Sequence, residues 1–141
     1  MDGAGNLYGV TAGGGPNLGG TVFKLDANGQ MTTLHSFVGA FEGDGDDPGG
    51  ADPQGGVLLD AMGNIYGTTF GGGTTMWGVA FVLDESGKET VLQTFTQAGG
   101  GSPIGPLVTD GANLYGTGDA GGDLNCQPTS GCGILFKLKL Q

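Results

Sequence analysis

Apolar and polar residues alternate in short runs along this chain, and each run ends in Gly, Asp or Asn. In Val22-Phe23-Lys24-Leu25, Phe23 and Leu25 share one side while Val22 and Lys24 share the other. Ala80-Phe81-Val82-Leu83 and Leu135-Phe136-Lys137-Leu138 repeat this order. Such runs, rich in Val, Leu, Phe, Tyr and Thr, predict β-strands, and none carries a helical period. The predicted strands are 6–11, 20–26 and 31–37; then 56–60, 64–69, 79–84 and 89–95; then 105–110, 113–118 and 133–139. Strict alternation points Leu34 and Leu92 away from Phe37 and Phe95, which leaves apolar groups on both faces of each sheet. The stretches Asp26-Ala27-Asn28-Gly29, Asp60-Ala61-Met62-Gly63 and Asp84-Glu85-Ser86-Gly87 predict tight turns. In each, Asp bonds its own backbone and Gly supplies positive φ, so adjacent strands run antiparallel.

The strands also repeat. Asn6-Leu7-Tyr8-Gly9-Val10-Thr11 returns as Asn64-Ile65-Tyr66-Gly67-Thr68-Thr69 and as Asn113-Leu114-Tyr115-Gly116-Thr117-Gly118. Tyr8, Tyr66 and Tyr115 are 58 and 49 residues apart, a period that belongs to propeller blades and related arrays. The expected fold is all-β, a β-propeller-like array of antiparallel four-stranded meander blades. One full blade (53–104) is flanked by two partial blades (1–52 and 105–141) in a single repeat region, 1–141. The Gly inside each Tyr-Gly strand suits close backbone approach near a crowded axis. Closed propellers need roughly four to eight blades. The chain is therefore expected to be a piece of a longer protein, an open stack, or a self-associating unit with open blade edges.

Composition narrows the partners. Thirty-four glycines far exceed the usual frequency, and they sit between the apolar runs, as turns require. Fourteen acids face four basic residues, all Lys, for a net charge of −10. That balance disfavours nucleic acid and anionic membrane, since no Arg is present to clamp a phosphate or read a base. No segment reaches the roughly 20 apolar residues of a membrane-spanning helix. Residues 1–5 lack the basic start and apolar core of a signal peptide, so the chain is expected to begin inside a repeat.

Taken in order, Gly5 to Thr11, Gly13 to Gly15, Gly20 to Asp26, Thr33 to Phe37 and Gly63 to Thr69 resemble the GloVer tandem repeats of secreted or surface-anchored bacterial proteins. The resemblance covers essentially the whole chain. It implies a propeller-like fold and an extracellular or cell-surface location, and it brings no catalytic motif. The chain departs from the pattern in a longer acidic loop after Phe41.

A residue present in every copy belongs to the scaffold, so candidate chemistry lies where the copies differ. Cys126 and Cys132 bracket an insertion that lengthens the third copy by six residues. They read as a local disulfide of an oxidising compartment, or as two reduced thiols in a cytosolic one. The loop from Glu42 to Asp52 alternates Asp and Gly. Asp44, Asp46, Asp47 and Asp52 are the candidate ligands of a weak Ca²⁺ site, against a solvated acidic turn. No other cofactor is implied. Trp77, Phe70 and Phe41 are unmatched aromatics that could stack on a sugar or a protein partner, or pack on a blade edge. His35 aligns with Gln93 and reads as a structural histidine before a base or ligand. Asp60 aligns with Asp110 and Asp84 with Asp26, so turn capping accounts for them before an acid pair does. No catalytic residue is assigned. The expected function is an extracellular, non-enzymatic scaffold or binding and adhesion module. The alternative is a fragment of an extracellular propeller enzyme acting on polysaccharide.

Overall fold

In the computed structural model, residues 1–39 and 48–140 are described, and among them the alternating runs form three antiparallel sheets with no helix. Sheet 1 holds β1 (Leu7–Thr11), β2 (Leu18–Leu25) and β3 (Met31–Val38) in that order. Sheet 2 holds β4 (Val57–Leu59), β5 (Ile65–Thr68), β6 (Val79–Leu83) and β7 (Glu89–Thr94), again in chain order. Sheet 3 is built on β10 (Asn113–Ala120), with β11 (Ile134–Lys139) along one edge. Two short strands, β8 (Gly101–Pro103) and β9 (Val108–Thr109), share its other edge. The sequence predicts 105–110 here; the pairing of Gly101 with Ala120 and of Pro103 with Gly118 extends that edge toward the N-terminus.

The sheets stack face to face. Ile65, Val79, Phe81 and Leu83 of sheet 2 pack on Val22 and Phe37 of sheet 1. The opposite face of sheet 2, with Tyr66 and Ala80, packs on Leu114 and Phe136 of sheet 3, joined by Phe95 and Leu107. Each seam carries the same ring pair. Phe37 meets Phe81 edge-on at 5.2 Å between centroids, and Phe95 meets Phe136 at 4.8 Å. Burying one such side chain contributes roughly 1.5–3 kcal/mol. Among the described residues no strand pairing joins sheet 3 back to sheet 1.

Two expectations from alternation are corrected. Leu34 and Leu92 do not point away from Phe37 and Phe95; each packs in the same cluster as its Phe. The reason is a β-bulge. Val22 pairs with His35 and Phe23 with Thr33, which skips Leu34, and Ala80 pairs with Gln93 and Phe81 with Val91, which skips Leu92. One extra residue resets the side-chain parity of the strand. The strand glycines also have a different reason from the one expected. Gly9, Gly67 and Gly116 pair across the strands with Phe23, Phe81 and Phe136, and each Phe ring lies over its glycine.

Candidate functional site

The carboxylates common to the copies are already engaged. Asp60 Oδ1 accepts the backbone N–H groups of Met62 (2.8 Å) and Asn64 (2.9 Å). Its Oδ2 accepts the Asn64 amide (2.8 Å) and the Tyr66 hydroxyl (3.3 Å). Asp2 binds Ala4, Asn6 and Tyr8 in the same way, and Asp110 binds Ala112, Asn113 and Tyr115. Asp26 and Asp84 close the other hairpins through Asn28 and Gln30, and through Ser86 and Lys88. Hydrogen bonds to the ionised form favour it. The Asn6 side chain and backbone hold the Asp2 carboxyl well below the usual carboxylate range, and the Asn113 and Tyr115 side chains do the same for Asp110. At Asp60 burial pulls upward, but the bonds from Asn64, Met62 and Tyr66 together outweigh it. Burial and the bond to Asp2 raise the Tyr8 hydroxyl. Sequence alone assigns Asp26, Asp60, Asp84 and Asp110 to turns; the role of Asp2, and the return of each Asn-x-Tyr motif to its own Asp, are not read from it.

Two of the candidates that differ between copies, Asp52 and Phe70, meet where the Gly-rich loops of sheets 1 and 2 come together. A groove of about 410 Å³ runs between the loops of sheets 1 and 2. Its rim is apolar and open: Leu18 is 62% exposed, Met76 47% and Phe70 37%. Asp52 is its acidic member. Backbone bonds build the floor. Asp52 N–H donates to Gly19 O (2.9 Å), Phe70 N–H to Asp52 O (2.9 Å), and Ala51 exchanges bonds with Gly71. The segment 51–52 thus stitches the loop of sheet 1 to that of sheet 2. Leu18, Met76 and Asp52 all adopt positive φ (63°, 64° and 59°), an uncommon state for residues with a Cβ. Leu18 and Met76 occupy matching positions in their copies, and Ser102 (φ 50°) matches Asp52. The backbone state is therefore scaffold, and the side chains set upon it are what vary. Volume and lining fall in the range of small-ligand clefts, which combine apolar walls with a few polar groups.

The groove brings together Phe70 and Asp52 from the candidates named above, and adds Leu18 and Met76, which sequence reading missed. Their signal was two large apolar side chains inside glycine-rich loops. Trp77 lies elsewhere. It is half-buried in the seam between sheets 2 and 3, and its carbonyl accepts from Ser102 N–H at 2.8 Å. Phe41, Asp44, Asp46 and Asp47 fall outside the described residues. Among the described residues no group of three or more His, Cys, Asp and Glu side chains is placed to hold a metal ion. Cys126 and Cys132 form a disulfide, with Cα atoms 6.0 Å apart. The loop it closes returns to the sheet through Gly121 N–H to Ser130 O, and Gln97 Nε2 donates to Thr129 O. His35 Nε2 lies 3.4 Å from Glu89 Oε2, a link from β3 to β7 across the seam between sheets 1 and 2.

Comparison with known families agrees with the repeated motifs. The chain matches the Gloeobacter/Verrucomicrobia repeat over residues 1–141 and belongs to that family. Curated proteins and solved structures yield no match.

Proposed function

We propose that this chain is a propeller-like section of an extracellular bacterial protein, and that it acts as a non-enzymatic binding module through the groove between Leu18, Phe70 and Met76. The observation that carries this reading is the division of labour among residues. The aspartates, tyrosines and asparagines present in every copy are consumed by turn and strand bonding. Leu18, Phe70 and Met76 rise from the loops and flank one concave surface, to which Asp52 adds a carboxylate among the described residues. An exposed aromatic beside a carboxylate suits a sugar ring or a peptide side chain, which would stack on Phe70 and hydrogen-bond to Asp52. The disulfide accords with an oxidising, extracellular setting. The face-to-face sheets accord with blades of a propeller.

The test is a glycan and peptide array probed with the wild-type chain and with Phe70→Ala, alongside hydrolysis assays on the same glycans. Binding that Phe70→Ala abolishes, without turnover, is the expected result. Turnover of any glycan would replace this reading with that of a polysaccharide-acting propeller enzyme.

A further inference from the structure

The two outer faces of the stack are the two unmatched halves of an interface that the chain already forms twice. Each sheet has a Phe face and a Tyr face. At both internal seams the Phe face of one sheet covers the Tyr face of the sheet before it. Among the described residues, nothing packs on the Phe face of sheet 1 or the Tyr face of sheet 3 as a further sheet. Matched positions measure this directly. Leu7 is 48% exposed, whereas Ile65 and Leu114 at the same position are 4% and 0% exposed. Leu135 is 75% exposed, whereas Val22 and Ala80 at its position are fully buried. Both ends thus present apolar side chains that are buried wherever the next sheet is present.

Charge fits the same pairing. At the first seam Lys24 lies against the Tyr8 ring (5.9 Å) and shares a small cavity with Asp84 of the next sheet. Lys137 repeats the position of Lys24 and lies against Tyr115 (5.6 Å), on the uncovered face. Asp26 repeats the position of Asp84, at the edge of the uncovered Phe face. The contact so formed would set Lys137 opposite Asp26, as Lys24 is set beside Asp84 at the first seam.

We propose that copies of this chain associate head to tail, the Tyr face of sheet 3 in one copy covering the Phe face of sheet 1 in the next. Leu135 then meets Phe23 and Leu7 as Val22 meets Phe81 and Ile65, and Lys137 faces Asp26. The contact is heterologous, so it either closes a ring or extends as a stack. A ring of two copies would hold six sheets, within the roughly four to eight of closed propellers. Sheet 3 supplies no counterpart of Phe37 among its described strands, so this contact is weaker than the internal seams and is sought at high protein concentration. The inference rests on the internal seams and is independent of any ligand in the groove.

Sedimentation of the 141-residue chain across a concentration series tests it, with Leu135→Asp and Leu7→Asp as end-blocking variants. Both sites are exposed, and circular dichroism checks that the variants retain the wild-type fold. Wild type is expected to reach at least twice the 13.9 kDa of one chain. Each variant alone is expected to stay monomeric, and an equimolar mixture to form a one-to-one dimer, because each variant keeps the half that the other lost. A monomeric wild type would overturn the proposal. So would variants that still self-associate, or a mixture that stays monomeric.

Discussion

The Phe81 ring lies on Gly67: a Cβ added to Gly67 would stand 2.5 Å from Phe81 Cζ. The two residues pair across β5 and β6, and the same relationship joins Gly9 to Phe23 and Gly116 to Phe136. A glycine in a strand costs backbone entropy and offers no side chain to pack. Here the cross-strand aromatic covers it and gains a flat seat, and Phe81 is fully buried.

That relationship predicts strong non-additivity. Gly67→Ala overpacks the seam and is expected to cost about 1–3 kcal/mol. Phe81→Ala empties it and is expected to cost about 3–5 kcal/mol. The double variant should cost clearly less than the sum, because the alanine methyl then enters space that the ring has vacated. Urea denaturation of the four proteins gives the coupling term.

The engaged aspartates predict a specific acid limit. Asp2, Asp60 and Asp110 have folded-state pKa values below the unfolded value of about 3.9. Between the two values the unfolded chain binds more protons. The stabilisation is therefore complete above about pH 4–5 and is lost as pH falls through the folded values. Melting temperature should be flat from neutral pH down to about 5 and fall below about 4. Replacing all three with Asn should lower it at pH 7 and flatten the acid fall, as read by thermal melts across pH.

Phe70 and Trp77 should separate. Phe70→Ala, at the groove rim, is expected to cost about 1 kcal/mol while abolishing ligand binding. Trp77→Ala, in the seam of sheets 2 and 3, is expected to cost about 2 kcal/mol through lost packing. Parallel denaturation curves distinguish them.

The disulfide closes a loop with a sequence separation of 6. Chain entropy gives it about 2 kcal/mol. Cys126→Ser with Cys132→Ser should lower the unfolding free energy from urea denaturation by that amount and leave the strand content unchanged by circular dichroism.

Most of this was readable in the sequence because repetition and alternation are local signals. The Asn-x-Tyr-Gly strands, the Asp-Gly hairpins and the grouping into three sheets follow from them. Leu34 and Leu92 were misplaced because a bulge shifts parity without leaving a composition signal. The ring over each glycine depends on strand register, which single runs do not carry. The groove depends on which loops the stacking brings together. Hence Leu18 and Met76 stood out only once sheets 1 and 2 were set against each other, and Trp77 proved to belong to the other seam.

One Phe-on-Tyr-face seam is built twice in this fold. Nuclear Overhauser contacts between aromatic ring protons test it most directly. Cross-peaks are expected from Phe37 to Phe81 and from Phe95 to Phe136, whose centroids lie 5.2 and 4.8 Å apart. Absence of either contact in the folded protein, with the strands intact, would contradict it.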